Sequence, residues 1–201
     1  MTNFRVLVLD ANVLTSWVER TIYIDLATSG VISLYWSDAI ESELQHRALP
    51  EMGKTPEQIE TIMADLHRAL PDACVTPRVG DYAGTSQVID VPDRDDLAVL
   101  AAALAVDADF IVTKNVSDFS REMEQRFGLR IAHSAQMLAA LGASFPEEMN
   151  DAVQFAREVS GSDLRAHFKR AGLASAEQIL DDDASNLAGS ADVDAVGPSR
   201  G

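Results

Sequence analysis

One cysteine, Cys74, stands in 201 residues. A lone thiol excludes a disulfide framework or a cysteine-built metal site within one chain. Beside Val75 it reads as a small buried apolar residue. Basic residues are also few: 16 Lys and Arg against 32 Asp and Glu give a formal net charge of −16. Surfaces that bind phosphate backbones are ordinarily basic, so this balance counts against a broad nucleic-acid-binding face. It fits a soluble enzyme, a metal site built from carboxylates, or a protein that meets a basic partner. No apolar run approaches the ~20 residues that span a bilayer. Met1 to Arg5 leads straight into a strand rather than a signal peptide. The expected location is the cytoplasm, with no membrane partner.

What is present is a core. With 47% hydrophobic residues, the chain can build one domain of ordinary size with a small appendage. Its organising stretch runs from Asp90 to Phe119. An acidic turn, Val91-Pro92-Asp93-Arg94-Asp95-Asp96, opens it, and Leu97, Val99, Leu100, Ala103 and Leu104 give the next helix an apolar face. Phe110-Ile111-Val112-Thr113 is short and β-branched, the mark of a buried strand. Lys114 to Asp118 leaves that strand as a polar loop. Carboxylates therefore stand at a helix start and just beyond the carboxyl end of the next strand, where open α/β sheets have their ligand crevice.

The rest of the chain alternates strand and helix. Phe4 to Leu9 is nearly continuous in apolar residues and predicts a central parallel strand. Asp10 ends it, and Val13-Leu14 with Trp17-Val18 starts a helix that runs through Ala27 to a stop at Gly30. At that position Asp10 is either a functional acid or simply an N-cap. Ile32 to Trp36 forms the second strand, and Ser37 caps a helix whose Ile40 and Leu44 face inward. Glu41 and Glu43 lie on that helix about 200° apart. Glu43, beside the apolar stripe, is the expected inward acid and Glu41 the solvated one.

Thr55-Pro56-Glu57-Gln58 reads as a capping box with Pro at the first helical position. It opens a helix striped by Ile59, Ile62, Met63, Leu66 and Leu70, a core or dimer surface. Cys74-Val75 is a short strand and Gly80 to Ser86 a loop. Ser120 to Phe127 is a short charged helix or turn, Leu129 to Ala132 the last strand, and Ser134 the cap of a helix carrying Met137, Leu138 and Leu141. The alternation predicts an α/β fold, a central mostly parallel sheet with helices on both faces. A helical annex follows at 143–181, with one helix from Pro146, a second from Gly161 and a final turn over Ser175 to Leu180. The Ala/Ser/Gly/Asp-rich residues 182–201 are expected to be disordered. The chemistry is thus assigned to residues 1–142.

Four acids share matching addresses. Asp10 follows the first strand, Glu43 lies on a later helix, Asp96 starts another, and Asp118 follows the strand after it. Hard divalent cations such as Mg²⁺ and Mn²⁺ take oxygen ligands and usually keep several waters, so a few carboxylates suffice. A cation relieves the mutual repulsion of such acids, generates a hydroxide nucleophile and stabilises a leaving phosphodiester oxygen.

The ordered set resembles the PIN-domain ribonucleases, especially the VapC-type toxin branch. The resemblance rests on Val8 to Leu14, on Ser37 through Glu43-Leu44, on Asp95 to Ala103 and on Ile111 to Phe119, and covers roughly residues 4 to 141. It carries the family's four acids onto Asp10, Glu43, Asp96 and Asp118. Asp10 and Asp96 are then direct metal ligands, and Glu43 and Asp118 ligands directly or through water. Asn115 falls where many relatives have another acid. Asn12, Thr113 and Asn115 orient ligands, water or phosphate, or serve only as turn residues. Lys114 and Arg94 read as solvated surface residues, with contact to substrate phosphate the alternative. Arg20, His46, Arg47 and Lys54 are scattered rather than grouped into an RNA-binding patch, and His67, His133 and His167 read as structural. The resemblance further implies Mg²⁺- or Mn²⁺-dependent cleavage of RNA, a homodimer and a neighbouring antitoxin.

Two other classes compete. A phosphoryl-transfer or receiver module also uses an apolar strand ending in Asp, with Thr and Lys near later strand ends. A haloacid-dehalogenase-type site, however, wants a second Asp where this chain has Asn12. A receiver wants a paired acid after its first strand and a phosphoacceptor Asp after its third. The other rival is a catalytically silent scaffold that only binds RNA or protein. Loss of an acid would favour it, and all four are present.

Overall fold

The computed structural model describes residues 6–78 and 94–160. Within them five strands form one parallel sheet in the order β3-β2-β1-β4-β5. The strands are β1 (Val6–Leu9), β2 (Ser33–Ser37), β3 (Cys74–Val75), β4 (Phe110–Thr113) and β5 (Arg130–His133). Leu7, Val8 and Leu9 are wholly buried, as are Ile111 and Val112 across from them. The continuous apolar runs therefore became central strands covered on both faces, as parallel sheets require. Register pairs Leu7 with Phe110, Val8 with Ile111 and Leu9 with Val112. Asp109 fastens the start of this pairing: its carboxylate accepts from the Val6 amide at 3.0 Å, and its own amide donates to the Val6 carbonyl at 2.9 Å.

The helices are α1 (Ala11–Leu14), α2 (Trp17–Thr28), α3 (Asp38–Glu43), α4 (Leu49–Glu51), α5 (Pro56–Ala69), α6 (Arg94–Ala105), α7 (Arg121–Phe127), α8 (Ser134–Ser144) and α9 (Pro146–Ser160). The first predicted helix is in fact two. Ser16 adopts an extended backbone and its hydroxyl accepts from the Glu19 amide, so a new N-terminus begins at Trp17. Gly30, at φ 81°, follows α2 as anticipated. Ser37 caps α3 through the Ile40 amide. The helix beyond Glu43 does not continue in α geometry but widens into a π-helical turn over Leu44–Ala48, a local irregularity that often accompanies functional sites. Thr55 and Gln58 form the expected reciprocal capping box.

At α8 the cap is His133 rather than Ser134, because the imidazole Nδ1 accepts from the Ala135 amide at 3.2 Å. Ser134 is the first helical residue, and its hydroxyl lies 3.3 Å from the buried Tyr23 hydroxyl. The annex helix α9 lies against α2 and α8. Met149, Ala152, Val153 and Ala156 enter the main core, whereas Phe155 and Val159 remain exposed. No helix among the described residues is long and apolar enough to cross a membrane. The Gly80–Ser86 loop, the Asp90–Asp93 turn, His167, the helix after Gly161, the Ser175–Leu180 turn and the tail at 182–201 lie outside the described residues.

Candidate active site

The chain runs outward from β1 to β2 and β3, then crosses back to place β4 on the other side of β1. The strand order reverses between β1 and β4, and the crevice at their carboxyl ends is where such sheets bind ligands. Asp10 and Thr113 are the residues that stand there. The Asp10 amide donates to the Val112 carbonyl at 3.0 Å, which ties the acid to the neighbouring strand.

As the residue before α1, Asp10 could have spent its carboxylate on a cap. It does not: no side-chain capping bond is made. Instead one oxygen, Oδ2, accepts from the Thr113 hydroxyl at 2.7 Å and from the Asn12 amide at 2.6 Å. Burial raises the Asp10 carboxyl above its ordinary value, against the opposing pull of Thr113, the Ala11 and Asn12 amides and the Asn12 side chain. The desolvation penalty falls on the ionised carboxylate, and a bound cation would relieve it.

Thr113 is wholly buried and its hydroxyl is fully used. It donates to Asp10 and accepts from Asn12 Nδ2 and from the Asn115 amide, both at 3.0 Å. Asn12 turns its oxygen to the Lys114 amide at 3.0 Å. That donor fixes which way the carboxamide points and leaves its nitrogen to face Asp10. Asn12 and Thr113 thus serve as positioning groups for Asp10, while Asn115, exposed, contributes its backbone amide. Where a haloacid-dehalogenase-type site needs a second acid, Asn12 is committed to holding the first.

The other three acids sit on elements packed around this centre. Glu43 ends α3, which lies against α1 and α6. Its carboxylate pairs with Arg47 one turn on. Asp96 is in the first turn of α6 and half-buried. Asp118 ends the 3₁₀ turn Val116–Asp118, its carboxylate 3.5 Å from the Ser117 hydroxyl. Among the described residues no three His, Cys, Asp or Glu side chains are gathered into a metal-sized group. The anchored carboxylate of Asp10 is a hard oxygen donor suited to Mg²⁺ or Mn²⁺, which need only one or two such ligands and keep their waters.

Glu41 departs from the expectation of a solvated acid. Its carboxylate accepts from Trp36 Nε1 at 3.0 Å and meets His67 Nε2 at 2.9 Å. Burial alone would raise it, but the bonds from Trp36, Cys74 and His67 outweigh that and hold it below its ordinary value. Cys74 is half-buried beside it, and burial followed by the Glu41 carboxylate pushes the thiol up to about 12. A thiol held neutral is a structural one.

One residue, Glu19, escaped the sequence reading. Glu19 is wholly buried, and Lys114 reaches it with Nζ 2.5 Å from Oε2. Lys114 is accordingly an anchored residue rather than a solvated one. Neither Glu19 oxygen has an aligned hydrogen-bond donor among the described residues, so the contact is ionic. Arg20 is also buried, its guanidinium donating to the Leu14 carbonyl. Burial lowers it to about 10, still charged at neutral pH. The signal was Ser16-x-x-Glu19, a helix-start pattern that marks the break after α1 and sets Glu19 on the first turn of α2.

The comparisons with known proteins bear on this centre. No curated protein and no solved structure matches the chain. A family model described as PIN domain matches residues 6–117, a span that includes Asp10, Glu43 and Asp96 and stops one residue short of Asp118.

Proposed function

From the chain's membership of the PIN-domain family, generally nucleases, we propose that this protein is a metal-dependent endoribonuclease of the VapC-type branch, the toxin of a toxin–antitoxin pair. The observation that carries the reading is the single carboxylate of Asp10, held by Asn12 and Thr113 at the sheet's switch point and destabilised there by burial. Asp10 and Asp96 would hold Mg²⁺ or Mn²⁺ directly, with Glu43 and Asp118 completing the set directly or through water. Bound there, the ion supplies charge neutralisation at the phosphodiester and an acidified water.

The chain's own residues fix the geometry. Thr113 and Asn12 fix the orientation of the carboxylate, and the Asp10 amide bond to Val112 fixes its height above the sheet. Glu43 and Asp96 stand on α3 and α6, which pack together, so a small rotation of either helix changes their separation from Asp10. A homodimer and a basic antitoxin segment complete the proposal. In a chain of net charge −16, an Arg-bearing segment entering the carboxylate crevice would pair bidentately and compete with the cation.

The test is cleavage of labelled single-stranded RNA by purified protein, with Mg²⁺, Mn²⁺ or chelator. Cutting should require the metal and vanish in Asp10→Asn. Cutting that persisted undiminished in chelator would defeat the metal-dependent reading.

A further inference from the structure

We propose that the cleft beside Asp10, formed where α2, α4 and α5 approach Lys114, binds the sugar–phosphate chain of a single-stranded RNA and stacks one of its bases on Trp17. The inference rests on the nuclease reading above and assigns the substrate's seat. The cleft holds about 700 Å³, within the range of sites that enclose a nucleotide-sized ligand.

Its lining is set apart by charge. Acids outnumber bases two to one in the chain, yet Arg20, Lys54 and Lys114 line this cleft and no Asp or Glu does. The three cations are not equivalent. Arg20 is spent on the Leu14 carbonyl and Lys114 is tethered to Glu19, so both are fixed parts of the wall. Lys54 stands exposed on the rim, placed for a phosphate.

The wall of the cleft is hydrogen-bonded to the catalytic centre. Thr15 and Lys114 both line it, and both bond to Asn12: the Thr15 hydroxyl to its carbonyl at 2.8 Å, the Lys114 amide to its side-chain oxygen at 3.0 Å. Asn12 in turn holds Asp10 at 2.6 Å. One residue, Asn12, thus links the cleft wall to the acid. Trp17, half-buried and packed on one side against the core, lines the cleft with its indole, and stacking of a base on such a ring is available only to an unpaired base. Gln58 and Thr61 add hydrogen-bonding groups along the α5 wall.

The test is fluorescence anisotropy of a labelled mixed-sequence single-stranded RNA with the full chain in chelator, where nothing is cut. The parent should bind. Trp17→Ala should weaken binding about tenfold, with Trp17→Phe retaining most of it. Lys54→Gln should weaken it and lower the slope of log affinity against log salt by about 0.7. Duplex RNA should bind more weakly. Circular dichroism confirms that each variant is folded, and Lys54→Gln, an exposed change, carries the test should Trp17→Ala unfold. Absence of binding, unaltered binding by both variants, or duplex bound as tightly as single strand overturns the proposal. Binding that depends on Trp17 and Lys54, without cutting when metal is added, would refute the nuclease reading and leave the cleft standing. Cutting by the parent that both variants match in binding and rate would do the reverse.

Discussion

Lys114 sets its ammonium 2.5 Å from a Glu19 oxygen whose side chain has no exposure at all, while 29% of the Lys114 side chain remains in contact with solvent. The pair joins the loop after β4 to the first turn of α2, so it braces the wall between the carboxylate centre and the cleft.

Lys114→Met should strand Glu19 as a buried, uncompensated charge. The loss should be roughly 2–3 kcal/mol, below the ~3–5 of a fully buried pair because Lys114 is partly solvated. Replacing both residues, Glu19→Leu with Lys114→Met, should recover most of it. Urea midpoints measure this, and equal losses in the single and double variants would show that the pairing is not what matters.

Asp10→Asn should abolish cleavage by orders of magnitude and raise the thermal midpoint in metal-free buffer. The sign follows from burial: a carboxyl whose folded value is raised favours folding while protonated and loses that contribution as pH rises through the folded value. The advantage of the Asn variant should therefore be small near pH 3 and largest at neutrality. Mg²⁺ or Mn²⁺ should raise the midpoint of the parent more than that of the variant. Differential scanning fluorimetry across pH and metal reads all three effects.

Asp96→Asn keeps the size and hydrogen-bonding capacity of the side chain in the first turn of α6 and removes its charge. The variant should fold, bind divalent metal more weakly and cut RNA orders of magnitude more slowly. Asp93→Asn, in the same stretch of sequence, should leave cutting nearly intact. Wild-type turnover in Asp96→Asn would remove Asp96 from the ligand set.

Glu41 behaves oppositely to Asp10. Its folded value is depressed by Trp36, Cys74 and His67, so its contribution is present above the unfolded value and lost as pH falls through the folded one. Glu41→Gln should destabilise the protein at neutral pH and converge with the parent as pH falls through the lowered folded value. A pH series of urea midpoints that stayed parallel would overturn this account.

In α9 the apolar residues divide sharply. Met149 is 2% exposed and Phe155 48%. Met149→Ala should cost about 2–5 kcal/mol as a core cavity, and Phe155→Ala should cost little. We propose the division 1–142, 143–181 and 182–201 as one of chemistry rather than of stability. A chain ending after Gly142 should keep its metal ligands yet melt earlier, since it uncovers the α2 face that α9 packs against.

The sheet and its switch point were legible because fully buried parallel strands leave unbroken apolar runs, as at Val6–Leu9 and Phe110–Thr113. Asp10, Asn12 and Thr113 were legible by position alone, and the structure supplies the bonds among them. What was not legible depends on contacts distant in sequence. Glu19 reads as an ordinary first-turn acid until Lys114 arrives from the end of β4. Glu41 reads as solvated until Trp36 and His67 close on it from β2 and α5. The π-helical turn after Glu43 has no local signature either, as Leu44–Ala48 carries ordinary helix formers.

The bond from Thr113 to Asp10 spans 103 positions of chain. Synthesis at about 5–20 residues per second places some 5–20 s between the making of the two residues. For that interval a growing chain holds Asp10 without the strand that orients it. If the proposed ribonuclease reading holds, the hazard of an active cutter emerging beside the very transcript being translated would be deferred until β4 has left the ribosome and paired with β1.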